Sequence, residues 1–161
     1  MDEQSEVAKK STLLMIPYGL YVLGVNNGGD IHCGTVNWVT QTSFKPPLVA
    51  VGVKKDSGLY PALKSAGKCA ISFLESGQKG LAFAFFKPTN VDGNTVNGQA
   101  FEAAANGAPV ISAAPAWVEA EYRGEVDLGD HSCVVVEVVN AGSKRDAKVL
   151  TLEECGVKYG G

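Results

Sequence analysis

Short apolar runs separated by turn-forming residues dominate the chain, the pattern of a strand-rich protein. Leu20 to Val25 is β-branched and aromatic, and it stops at Asn26-Asn27-Gly28-Gly29-Asp30, a strong hairpin signal. Ile31 to Ser43 reads as the returning strand. Lys45-Pro46-Pro47 sets an extended approach, and Leu48 to Val53 is then a continuous apolar run suited to a strand covered on both faces. Asp56-Ser57 offers an N-cap to a short helix that runs through Ala66 and stops at Gly67. Cys69 to Leu74 reads as another strand. In Gln78 to Phe86, Leu81 and Phe85 share one face at helical spacing.

Residues 87–109 concentrate glycine, proline and asparagine and read as one long loop. Val110-Ile111, Ala116 to Val126, Ser132 to Asn140 and Val149 to Leu152 complete the strands, with a turn at Leu128-Gly129-Asp130-His131. This inventory predicts a mainly β fold of about six or seven strands with two or three short helices, closed as an antiparallel barrel so that no sheet edge is left exposed. No internal repeat or linker divides the chain, so residues 1–161 read as a single domain. The apolar stretch Leu13 to Val25 is interrupted by Pro17 and Gly19 and is too short for a membrane span. It reads as a helix turn followed by the first strand, in a cytoplasmic protein.

Composition narrows the function classes. A net charge of −3 gives no basic field for a nucleic acid. Cys33, Cys69, Cys133 and Cys155 show no CxxC spacing, and His32 and His131 are the only imidazoles, so neither a zinc site nor a disulfide framework is indicated. All four cysteines read as small buried hydrophobes with free thiols. Glycine-rich phosphate loops, a GxSxG elbow and paired histidines are absent.

Thr35 to Ser43 carries the most chemistry. As a strand, it puts Asn37, Val39 and Gln41 on one side and Val36, Trp38 and Thr40 on the other. Neither side is uniformly apolar. Hydroxyls, two amides and an indole together suit the polar edge and the flat face of a planar heterocycle. Lys54-Lys55-Asp56-Ser57 joins a strand to a helix N-terminus, where free amides, a hydroxyl and two ammonium groups favour a phosphate. Phe86-Lys87-Pro88 sets a cation beside the long loop, and His131 offers a switchable donor in a tight turn. His32, beside Cys33, has no assigned role.

The run from Thr35 through Pro46-Pro47 to Val49 resembles the signature strand pair of the flavin reductase-like, FMN-binding split-barrel proteins, in the flavoredoxin-like branch. Lys55 and Ser57, Phe86, Gly129-Asp130-His131, Leu150 and Tyr159 follow in matching order. The resemblance implies a Greek-key split β-barrel and a homodimer with FMN near the subunit interface. Asn37, Trp38, Val39, Thr40 and Gln41 would line the flavin ring, and Lys54, Lys55 and Ser57 would approach its phosphate or ribityl chain. Phe86, Lys87, His131 and Tyr159 would be further flavin neighbours.

The activity so implied is an NAD(P)H:flavin oxidoreductase that moves hydride from nicotinamide to flavin, with His131 and Lys87 as the catalytic candidates. The alternative is an electron carrier between redox protein partners, without its own nicotinamide site. No metal, nucleic acid or membrane enters either reading.

Overall fold

The computed structural model describes residues 1–161. Helix α1 (Glu3–Leu13) buries no side chain and depends on its ends. Asp2 caps it by accepting from the Ser5 amide at 2.8 Å, Glu3 and Glu6 occupy the first turn, and Lys10 occupies the last. It ends where the expected helix turn at Leu13 would begin, because caps and charges before that residue, rather than an apolar stripe, define it.

Strands β1 (Tyr21–Asn27) and β2 (Asp30–Val36) form the predicted hairpin. Its two turn residues, Gly28 and Gly29, both have positive φ, 63° and 100°. The returning strand does not continue to Ser43. The chain leaves the ladder at Asn37-Trp38 and begins β3 (Val39–Ser43), which pairs instead with β4 (Leu48–Lys54).

Helix α2 (Leu59–Ala66) buries Leu59, Ala62 and Leu63 and ends at Gly67 with φ of 72°. Its N-cap is Gly58, not the expected Asp56-Ser57, since the Ser57 hydroxyl donates to the Lys54 carbonyl at 2.6 Å. Strand β5 (Lys68–Phe73) follows, then the six-residue helix α3 (Lys79–Ala84).

The predicted long loop contains structure of its own. Strands β6 (Val91–Asp92), β7 (Thr95–Val96) and β8 (Gln99–Ala103), with β9 (Pro109–Ile111), make a small four-stranded sheet. Two long strands, β10 (Ala116–Val126) and β11 (His131–Ser143), complete the main sheet. Its order is β2-β1-β5-β10-β11-β4-β3, antiparallel throughout. The sheet ends at β2 and β3, and no ladder joins them. The expected strand Val149 to Leu152 forms only two isolated bridges, Gly19 to Thr151 and Glu75 to Val149.

Leu23, Val25, Val51, Val53, Leu63 and Ile71 anchor one core cluster inside the curved sheet. A second, around Leu20, Leu74, Phe85, Ile111 and Leu150, seats the small sheet and the tail. Cys33, Cys69 and Cys155 are buried as expected, and burial pushes the Cys33 and Cys69 thiols up to about 12. Cys133 is the exception: it is exposed, on the outward face of β11. No helix is long and apolar enough to cross a membrane.

Candidate functional site

A cleft of about 890 Å³ opens between β2, the end of β4, the N-terminus of α2, residues 85–89 and the C-terminal tail. The 85–89 segment is strapped to β2. Thr89 Oγ1 accepts from the Cys33 amide and donates to the Cys33 carbonyl, both at 3.1 Å, while the Thr35 amide donates to the Phe85 carbonyl at 3.1 Å. These bonds use β2's outer edge and hold the cleft wall in place.

One end of the cleft is aromatic. The departure of the chain at Asn37-Trp38 turns Asn37 into the cleft and lays the indole against β4. The Trp38 carbonyl accepts from the Gly52 amide at 2.8 Å, and a Cβ at Gly52 would stand 3.0 Å from Trp38 Cβ and Cε3. Glycine is what lets the indole lie there. The ring centroid of Trp38 is 4.6 Å from His131 and 5.1 Å from Tyr159.

His131 is held from both sides. Its Nδ1 is 2.8 Å from Asp130 Oδ1 and its Nε2 is 2.6 Å from the Tyr159 hydroxyl. A carboxylate only accepts, so Nδ1 carries the proton, and in the neutral ring Tyr159 donates to Nε2. The hydrogen bond from His131 lowers the Asp130 carboxyl, and burial raises the Tyr159 phenol.

Two buried donors at this end have no partner: Asn37 Nδ2 and Trp38 Nε1. A buried amide left unpaired costs free energy, and a native structure tolerates it chiefly where something else supplies the acceptor.

The other end is polar. Ser57 and Lys54 line it beside Gly58 and the α2 N-terminus, and the nearest acid to Lys54 is Asp56 at 3.6 Å. Phe86 and Lys87 form the opposite lip, and Lys87 has no ion-pair partner.

Of the residues singled out in the sequence, Asn37, Lys54, Ser57, Phe86, Lys87, His131 and Tyr159 therefore meet in one cleft, with Trp38 behind the last two. Four do not join them. Lys55 turns to Asp127 at 2.5 Å, and Val39, Thr40 and Gln41 lie on β3, where Thr40 and Gln41 are exposed. The break at Asn37-Trp38 carries them to the far end of the sheet. Sequence reading also passed over His32, which lines the polar end and bonds Asp30 through Nε2 at 2.9 Å. The available signal was the i, i+2 spacing of Asp30 and His32 on one strand face.

The cleft is thus lined by an amide, an imidazole and a phenol at one end and is cationic at the other. The chain belongs to the flavin reductase like domain family, which it matches over residues 13–158.

Among curated relatives, it is 32% identical over 141 residues to a ferric-chelate reductase (NAD(P)H) of Archaeoglobus fulgidus, covering 84% of this chain and 82% of the relative. It is 28% identical over 134 residues to diflavin flavoprotein A 1 of Synechocystis, covering 83% of this chain but only 23% of that much longer protein. Among solved structures, the NADH:FAD oxidoreductase of Streptomyces globisporus superposes with a TM-score of 0.78 at 26% identity, covering 94% of this chain and 90% of its own. The flavin reductase component of a bacterial two-component tryptophan halogenase superposes with a TM-score of 0.79 at 25% identity over 97% of both chains.

Proposed function

We propose that this protein is an NAD(P)H:flavin oxidoreductase that binds FMN in the cleft. The observation that carries the reading is the buried, unpartnered Asn37 Nδ2 beside the Trp38, His131 and Tyr159 rings. A flavin ring offers carbonyl and ring-nitrogen acceptors at one edge and a flat apolar face, so this donor and these rings fit it. Relatives named as NAD(P)H- and NADH-dependent reductases support the donor assignment.

When bound, the flavin supplies the two-electron chemistry, accepting hydride from the nicotinamide. The protein's part is to bind and orient. Asn37 donates to the ring edge, and the aromatic wall excludes water from one side. Lys54, Ser57 and the α2 amides attract the phosphate, for which FMN presents one dianionic group. His131 holds a proton at Nδ1 through Asp130, and Lys87 supplies positive charge at the lip where a nicotinamide nucleotide approaches.

The same reading takes residues 1–161 as one domain and the chain as a homodimer in the cytoplasm, where NAD(P)H is available. It also takes the sheet as a split barrel, because Val36 of β2 and Val39 of β3 pack on the one cluster around Leu23 and Val51. Anaerobic mixing of the FMN-loaded protein with NADH or NADPH tests the activity. Bleaching of the flavin band within a catalytic cycle time is expected. Absence of bleaching by either nucleotide, with reduction by a redox protein instead, would make the chain an electron carrier. Sedimentation velocity checks the dimer.

A further inference from the structure

The cleft contains a second imidazole whose chemistry the proposed reaction leaves unused. His131 has partners on both ring nitrogens, but His32 has one only. Its Nε2 bonds Asp30 at 2.9 Å, while Nδ1 faces Gly58, where an added Cβ would stand 3.1 Å from it. The side chain is 25% exposed and lines the cleft. His32 near the start of β2 and Asn37 just past its end line the same cleft at different points along it. Around it are Ser57, the Gly58 N-cap of α2 and Lys54.

We infer that His32 is a positioning residue for the flavin phosphate, gripping it through Nδ1 while Asp30 holds the opposite nitrogen. This rests on the flavin reading above. The Asp30 carboxylate accepts from Nε2, so that nitrogen carries a proton; an anion at Nδ1 selects the form in which Nδ1 is protonated too. The imidazolium then stands between two negative groups, Asp30 on one side and the phosphate on the other. A charge-assisted bond of this kind is stronger than a neutral one and is made only to a ligand that carries the phosphate. Gly58 leaves the ring nitrogen uncovered: alanine there would press on the imidazole at the N-cap.

The test separates the phosphate from the ring. Riboflavin and FMN are titrated by flavin fluorescence against wild type, H32Q and D30N. Glutamine reaches the Nε2 position, keeps the Asp30 bond and removes only Nδ1. H32Q is expected to weaken FMN about tenfold and leave riboflavin unchanged. D30N keeps the imidazole but removes its counter-charge, and it is expected to weaken FMN in the same sense. Equal losses for riboflavin and FMN would show that His32 merely packs on Gly58 and would overturn the proposal, as would unchanged FMN affinity. A change confined to the KM for NADPH would assign His32 to the nicotinamide nucleotide and overturn it too. Wild type binding neither riboflavin, FMN nor FAD would instead defeat the flavin reading itself.

Discussion

The Tyr159 hydroxyl sits 2.6 Å from His131 Nε2 and ties the C-terminal tail across the Trp38 face. This bond links the end of the chain to the start of β11 and closes one side of the cleft. Removing the hydroxyl in Tyr159→Phe leaves the ring in place and frees Nε2. A lost hydrogen bond of this sort costs about 1 kcal/mol, so flavin affinity is expected to fall roughly fivefold. Fluorescence titration of FMN reads it directly. Tyr159→Ala, which also removes the aromatic wall, is expected to lose more.

Asn37 carries the opposite signature, a polar group that the protein alone leaves unsatisfied. In Asn37→Leu the ligand-free protein sheds that penalty, so its Tm is expected to hold or rise. Flavin affinity is expected to fall by about 1–2 kcal/mol, roughly tenfold, because the ring edge loses its donor. Calorimetry of the ligand-free protein and flavin titration together check this. A fall in both Tm and affinity would mean that Asn37 is a structural amide.

The parts of the fold legible in the sequence are those where the local signal and the final contact agree. Gly28-Gly29 announced the β1–β2 hairpin, the apolar run Leu48 to Val53 announced β4, and Gly67 announced the end of α2. Helix α1 has no apolar stripe, so only its cap and terminal charges mark it. Strands of two or three residues, such as β6 and β7, are too short for an alternation of two to show. The break at Asn37-Trp38 has neither glycine nor proline. Its cause is long-range, the docking of Trp38 onto Gly52 of β4, and this is why Val39, Thr40 and Gln41 were expected at the cleft but lie on β3. His32 was missed for a related reason. Its Nδ1 faces Gly58, distant in sequence and adjacent only in the fold.

Gly52 itself offers a steric prediction. A methyl group in Gly52→Ala meets the indole at 3.0 Å, closer than ordinary packing, so Trp38 must shift. Overpacking of this kind costs about 1–3 kcal/mol. Because the same indole backs His131 and Tyr159, the variant is expected to lose flavin affinity as well as Tm. Intrinsic tryptophan fluorescence separates a displaced Trp38 from general unfolding.

Glu125 should govern the acid limb of stability. Its carboxylate accepts from Lys64 at 2.7 Å, from Tyr60 at 2.5 Å, from Tyr122 at 2.9 Å and from Ser132, joining α2 to β10 and β11. Chiefly the Lys64 bond, then Ser132 and Tyr60, hold the carboxyl down at about 2, against 4.5 for an unperturbed glutamate. A group lowered in the folded state binds its proton more readily when unfolded. Its contribution is therefore complete above about pH 4.5 and is lost as the pH falls toward 2. Glu125→Gln cannot titrate. The variant is expected to be less stable than wild type at neutral pH, with the difference narrowing through that window. Urea unfolding at pH 7, 4.5 and 3 is the measurement, and a gap that stays constant across it would remove Glu125 from the acid response.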